Sequence, residues 1–403
     1  MKSSIPAPNA VPEVAPDLAP MLVDLGALRL RLERLTDRRK ARGKRYALAM
    51  LLLLVILAKL SGQDQPAGIA DWIAKRSPQL RGTLGLFWKR MPHESTFRRL
   101  FEWMISPEEL DSVISEHLRS QEGVGRSVLI SIDGKTVRGT IKWNESRGEH
   151  LLAAYLPEEG VILMQVAAGD KDNEINAAPV LLRSIDLRGQ LQGKVVIGDA
   201  IHTQRALSVQ ILEAEADYLW FAKENQPSLR QSIVDLFEES RETVLGGRVE
   251  SDFETYRTVE KSHGRLETRE ITVSSELKGY SDWPGIEQVF RLERRRVDYR
   301  SGKEQIEVVY GLTSLRREEA SPERLLCLTR TYWGIENGLH GRRDVTFRED
   351  RTRLTRGKAG RVMASLNNLV ISLLRLSGYT NLAEARREWD ANLTLALGRS
   401  SAS

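Results

Sequence analysis

The chain has 403 residues, 41% of them hydrophobic and 29% charged, with 60 basic side chains against 55 acidic ones for a formal net charge of +5. That length supports two or three cored domains, and the near-average composition excludes a short secreted scaffold, a fully disordered chain and a polytopic membrane protein. A single cysteine, Cys327, allows no internal disulfide and no zinc-ligand array, so a reducing cytoplasmic setting is expected and any metal has to be held by oxygens.

The first 20 residues, rich in Pro and Ala without apolar periodicity, predict a disordered tail. Residues 21–122 predict an all-helical N-terminal domain. Nine bases lie between Arg29 and Arg45, followed by the uncharged run Tyr46 to Ala58. That run is too short for a bilayer span of roughly 18 to 20 residues and predicts a buried helix; membrane attachment is the rival reading it would support. Ser95 predicts one helix cap, and Ser106-Pro107-Glu108-Glu109 a capping box with proline at the first helical position.

At Gly123 the texture becomes β-branched. SVLISI (Ser127 to Ile132) predicts a buried strand ending at Asp133-Gly134, HLLAAYL (His150 to Leu156) and VILMQVAA (Val161 to Ala168) two more, and INAAPVLLRSI a helix. KVVIGD (Lys194 to Asp199), a helix over Thr203 to Ala214, and DYLWFAK (Asp217 to Lys223) follow. Three strands, then helix, strand, helix, strand, describe a mixed α/β sheet in the order of a ribonuclease H-like core, with residues 123–228 as its first part. Residues 229–316 carry strands with one polar face and predict a β-rich insertion. Residues 317–380 return to the core: a helix starts at Ser321-Pro322 and another follows through Val362, Leu366 and Leu373, before a C-terminal tail at 381–403. Eight bases between Arg342 and Arg361 make a second basic run.

Three carboxylates stand where apolar elements end or surface: Asp133, Asp199 and Glu336. Taken singly, each has an ordinary reading as a turn residue, a helix cap or a solvated helix residue. Taken jointly they are more informative, because ligand chemistry in an open α/β sheet gathers at the carboxyl ends of the strands. A converging cluster of this kind suits Mg²⁺, and two ions roughly 3.5 to 4 Å apart suit in-line phosphoryl displacement. Around these acids, Lys135 and Arg138 fit either a phosphate contact or the solvated side of a hairpin. His202 fits a place at the scissile region or in a first helical turn, while Lys223 and Asn225 are candidate substrate contacts. Glu336, His340 and Arg343 fall at i, i+4 and i+7, which puts them on one helical face. Arg343 then suits a substrate phosphate or an ion pair with Glu336 or Asp344.

The segments SIDGKTVRG (Ser131 to Gly139), VIGDAIHTQ (Val196 to Gln204), AKENQP (Ala222 to Pro227), HGRLETR (263–269) and YWGIENGLHGRRDVTFREDRTR (332–353) together resemble the ordered motifs of bacterial insertion-sequence transposases of the DDE type, in the ISAs-type or H-repeat-associated group. The resemblance implies Asp133, Asp199 and Glu336 as the catalytic and metal-binding triad, with two Mg²⁺ ions replaceable by Mn²⁺. Around the triad it implies a ribonuclease H-like core interrupted by the insertion. It further implies cleavage of element ends and strand transfer into target DNA, by a DNA-assembled homodimer on double-stranded DNA in the bacterial cytoplasm, associated with the nucleoid and not with a membrane. Tyr332 and Gly341 depart from the residues common in that group, which bears on DNA handling beside the site. The rival class is a transposase-derived DNA-binding protein without catalysis, against which the intact acidic triad argues.

Overall fold

A computed structural model describes residues 24–169, 174–186, 189–243, 252–262, 264–332 and 334–393. The expected N-terminal tail and the first residue of HGRLETR lie outside the described residues. The centre of the molecule is one nine-stranded sheet built from β1 (Leu129–Val137), β2 (Glu149–Leu156), β3 (Val161–Gly169), β4 (Val195–Gly198), β5 (Asp217–Ala222), β6 (Glu254–Ser262), β7 (Arg265–Ser274), β8 (Gln288–Asp298) and β9 (Glu304–Thr313). Their spatial order is β3-β2-β1-β4-β5-β9-β8-β7-β6. β4 runs parallel to both β1 and β5, and the other neighbours are antiparallel. The four strands of the predicted insertion therefore continue the same sheet, joined through Leu219↔Thr313.

The central strands are apolar on both faces because helices cover both. In β4, Val195 and Ile197 enter one core and Val196 the other; in β1, Leu129 enters the first, Ile130 and Ile132 the second. The second core is closed by α7 (Glu174–Asp186), α8 (Arg205–Glu213) and α9 (Pro227–Thr243). The first core is closed by α1 (Leu25–Leu32), α2 (Leu48–Leu60), α3 (Pro66–Lys75), α4 (Ser77–Leu84), α5 (Glu94–Arg99), α6 (Pro107–Arg119), α10 (Pro322–Tyr332), α12 (Ala359–Leu376) and α13 (Leu382–Ala391), with α11 (Gly341–Val345) at its edge. The N-terminal helices thus share one core with the sheet and the C-terminal helices.

All thirteen residues of α2 are buried, including Lys59, as the run Tyr46 to Ala58 predicts for a core helix. Lys59 is matched inside by Asp64 at 2.9 Å, and Arg386 of α13 donates to both oxygens of that carboxylate at 2.8 Å. A buried cation is stable only when paired in this way. No helix among the described residues is long and apolar enough to cross a membrane. A polar seam also joins the layers: Gln165 of β3 donates to Asp111 of α6 at 3.0 Å and to Ser365 of α12 at 2.9 Å, and accepts from Asn368 at 2.6 Å.

Three local expectations need correction. The cap of α5 is His93, whose ring accepts from the Ser95 N–H, so Ser95 lies inside the helix. At α6 the Ser106 hydroxyl donates to Glu108 at 2.6 Å and caps no backbone N–H, while Glu109 accepts from the Thr36 N–H; Pro107 does open the helix. The stretch predicted as a C-terminal tail contains α13, because Leu382, Ala385 and Trp389 form an apolar stripe and Asn381 caps the helix.

Candidate active site

Asp133 and Asp199 each stand one residue beyond the last register pair of the parallel strands β1 and β4, Ile132↔Gly198. Consecutive pairing places two carboxylate-bearing residues side by side where the parallel pairing of β1 and β4 ends, the edge at which such sheets gather ligand chemistry. Asp199 caps the short turn Ala200–His202 by accepting from the Ile201 N–H at 3.0 Å, and half of its side chain stays exposed. Three hydrogen bonds tie this turn to the end of β5: Asn225 to the Ala200 carbonyl at 2.5 Å, Thr203 to the Phe221 carbonyl at 2.7 Å, and Gln226 to the Thr203 carbonyl at 3.0 Å. Asn225 is thereby a strut under Asp199, and Lys223 beside it is exposed.

β1 does not end at Asp133. It continues to Val137, paired with β2 through Asp133↔Ala153 and Lys135↔Leu151, so Asp133-Gly134 is not a hairpin turn. The reason lies in Gly134, where an added Cβ would stand 2.5 Å from the carboxyl carbon of Glu174. The missing side chain leaves room for that buried acid while the strand runs straight on.

Glu174 is the principal group of the site that the sequence motifs did not nominate. It opens α7 and is buried against Gly134, with His150 Nε2 at 2.6 Å and His202 Nε2 at 3.5 Å. Burial alone would raise its pKa, but the two imidazoles outweigh that and bring it down to about 2. Thr136 of β1 bonds the other nitrogen of His150 at 2.8 Å. His202, considered above for the scissile region, is fully buried against this carboxylate. The sequence signals for the cluster are His202 and a histidine heading the apolar run of β2.

Glu336 begins the helical turn Glu336–His340, which is wound as a π-helix between α10 and α11; its side chain lies outside what the structure describes. The wider winding breaks the i, i+4, i+7 face expected for Glu336, His340 and Arg343. His340 points its Nδ1 at an Asp133 oxygen, 3.4 Å away. Burial, reinforced by Arg343 and Lys135, pulls the His340 pKa down to about 3. Arg343 instead turns fully inward: Nε and a terminal nitrogen reach Glu349 at 2.8 and 2.7 Å, and Asn367 bonds the other Glu349 oxygen at 2.8 Å. Among the described side chains its partner is Glu349 rather than Asp344. Lys135 takes Asp344, at 2.8 Å, and Arg138 remains mostly exposed, with Asp350 3.9 Å from its guanidinium.

The comparisons with known proteins bear on this arrangement. The model of the transposase DDE domain matches residues 125–373, and the DDE_Tnp_1-associated model matches residues 30–118. The chain belongs to the DDE transposases. Its relatives place it in the H-repeat-associated group: it is 29% identical to "Putative transposase YncI" of Escherichia coli O157:H7 over 82% of this chain and 83% of that one, and 27% identical to "H repeat-associated putative transposase YhhI" of Escherichia coli strain K12 over 82% and 85%. It is also 34% identical to an uncharacterized protein in the dhlA 3′ region of Xanthobacter autotrophicus, over 64% of this chain and 85% of that one. Among solved structures it is similar to a piggyBac transposase synaptic complex with hairpin DNA, with a TM-score of 0.45 and 10% identity over 94% of this chain and 81% of that one.

Proposed function

We propose that this DDE transposase carries a ribonuclease H-like catalytic core and performs divalent-metal-dependent cleavage of insertion-sequence ends followed by strand transfer into target DNA. The observation that supports this reading is the placement of Asp133 and Asp199, each one residue past the Ile132↔Gly198 pair of adjacent parallel strands.

The donors fit hard cations such as Mg²⁺ or Mn²⁺: two carboxylates, one half exposed, on a rigid strand frame. Among the described residues no group of three or more His, Cys, Asp and Glu is arranged to hold a metal, and Glu336 is proposed as the third oxygen donor. When bound, two such ions supply charge stabilisation to the attacking and leaving oxygens of a phosphoryl transfer.

In the first step a water oxygen bonds to phosphorus as the P–O3′ bond breaks, leaving a 3′-hydroxyl on the element end and a 5′-phosphate on the neighbouring strand. In the second, that 3′-oxygen bonds to a target phosphorus, its proton leaves to solvent, and a target 3′-hydroxyl departs. The contribution of this chain is positioning. Glu174 with its two histidines holds the strands from below, Asn225 holds the Asp199 turn, and His340 abuts Asp133. Lys223 and Arg138, both exposed, are proposed phosphate contacts; Lys135, His202 and Arg343 are proposed to act through their internal partners. Joining two ends in one complex calls for a DNA-assembled homodimer.

Purified protein with a labelled element-end duplex in Mg²⁺ or Mn²⁺ tests the reading. Wild type should nick and join the duplex, while Asp133→Asn and Asp199→Asn bind it without cutting. Identical products from wild type and Asp133→Asn sink the assignment. Binding without cleavage by wild type favours a DNA-binding protein instead.

A further inference from the structure

Both basic runs divide in the fold, and Lys40, Arg42, Lys44 and Arg45 of the first stay exposed. In the first, Arg29, Arg34, Arg38 and Arg39 are ion-paired with Glu33, Glu116, Glu109 and Asp37. In the second, Arg343 and Arg361 are spent on Glu349 and Glu108. Arg348, Arg351, Arg353 and Arg356 are exposed instead, and none forms an ion pair with a described carboxylate.

These arginines border a polar trough. A cleft of about 740 Å³ lies between the α2–α3 connection, the segment 346–352 and α13, with Arg348, Arg351 and Arg387 on its walls. It shares Gln65, Arg351 and Thr352 with a neighbouring cleft of about 470 Å³ that carries Arg353 and Arg356. The acids in the first cleft are already engaged: Asp64 by Lys59 and Arg386, Asp390 by Arg76.

The segment that bears the arginines is pinned at both ends. An added Cβ at Gly139 would stand 2.3 Å from the Thr352 carbonyl oxygen, and the Leu354 N–H donates to the Gly139 carbonyl at 3.0 Å, so the segment lies directly on the turn that follows β1. At its far end the Lys358 N–H donates to the Glu102 carbonyl at 3.0 Å. Arg348 itself has φ 49° and ψ 38°, a left-handed conformation that a branched environment has to enforce. The backbone that carries the cations is thus held in place before any ligand arrives.

We propose that this trough binds the sugar-phosphate backbone of a DNA duplex, away from the scissile phosphate, through Arg348, Arg351, Arg353, Arg356 and Arg387. So many unmatched guanidiniums exceed what one phosphate neutralises and match a polyanion. A duplex fits better than a single strand because the first cleft has no stacking platform: its aromatic residue, Phe347, is buried under Lys59 and Arg386, and the second cleft has no aromatic lining residue. The contacts would be sequence-independent, since they reach phosphates. The inference rests on the transposase reading for its ligand, and it adds a site separate from the acidic one.

The test is equilibrium binding of the full chain to an arbitrary 30-bp duplex, roughly three turns, across a salt series without divalent metal. Arg348→Gln/Arg351→Gln should weaken binding at least tenfold and lower the slope of log affinity against log salt by about 1.8, or about 0.9 per lost contact. Arg387→Gln, on the opposite wall, should lower it by about 0.9. Arg348→Lys/Arg351→Lys should restore the slope, and Arg300→Gln, in the β8–β9 connection, should change nothing. An unchanged slope in the glutamine variants overturns the proposal. So does loss of binding in the lysine variant with a lowered melting temperature, which would mark a structural role, or a loss confined to a single strand of the same sequence. Because no metal is present, the outcome is independent of the cleavage assay: slope changes without cleavage leave the trough standing and remove the chemistry, and cleavage with unchanged slopes does the reverse.

Discussion

His340 Nδ1 stands 3.4 Å from an Asp133 carboxylate oxygen, linking the π-wound turn that Glu336 begins to the first strand of the sheet. The imidazole is mostly enclosed and kept neutral by burial. Removing it takes away one of the groups that orient Asp133. His340→Gln is expected to slow end cleavage by roughly ten- to a hundredfold, the usual loss when a group that orients a ligand is removed. Cleavage rate and melting temperature, measured together, check this; an unchanged rate removes His340 from the site.

Glu174 is the centre of a different test. With its carboxylate gone, His150 and His202 face each other in a buried space with no acceptor. Glu174→Leu should cost about 3 kcal/mol or more, as loss of one partner of a buried charged cluster does, and Glu174→Gln about 1 to 3 kcal/mol. Denaturant titration at neutral pH reads both. Equal stability of the Leu variant and wild type would show that the cluster does not hold the strands.

The buried Arg343–Glu349 pair separates a structural role from a DNA-contacting one. Arg343→Met alone leaves Glu349 buried without its cation and should destabilise by about 3 to 5 kcal/mol. Arg343→Met/Glu349→Leu should recover much of that loss. If the double variant folds like wild type yet its salt slope for DNA has dropped by about 0.9, Arg343 reaches a phosphate in the complex after all.

Asp111 gives a prediction about pH. Burial pushes its carboxyl up to about 7, although Ser365 and Gln165 oppose the shift. In the unfolded chain it ionises near the ordinary carboxylate value of 3.8. Between those values the folded state holds a proton that the unfolded state has lost, so the contribution of Asp111 to stability falls as pH rises from about 4 to about 7. His117, lowered to about 4 mainly by burial, has the opposite sign: its contribution is present above the unfolded value of 6.5 and fades as pH falls towards 4. Asp111→Asn should therefore match wild type near pH 4 and become more stable by on the order of 4 kcal/mol by pH 7.5. Denaturation midpoints at several pH values check it, and a pH-independent difference refutes it.

Much of the fold was readable because its signals are local. Apolar runs bounded by Asp133 and Asp199 announced strands, and the long apolar run of α2 announced a core helix. What escaped depends on groups far apart in sequence. His150 and Glu174 are 24 residues apart, and no periodicity connects a residue at the head of one strand with the first residue of a helix. Arg343 found Glu349 because Arg348 turns left-handed between them, a conformation its residue type does not advertise. Asp133-Gly134 looked like a turn because Gly134 does favour turns; its use here is to make room for a side chain from another element. The acidic positions were nominated by motif, and the groups that brace them became visible only in three dimensions.

The β5–β9 pairing also constrains the order in which the molecule can assemble. Leu219 and Thr313 are neighbours in the sheet, so a nascent chain that has just emitted β5 carries an open, apolar edge until β9 leaves the ribosome. Such an edge is a template for wrong pairing. A copy interrupted by a stop codon before Glu304 would keep Asp133 and Asp199 yet lack the strand that closes β5, and would be expected to aggregate or be degraded rather than linger as a dominant-negative DNA binder.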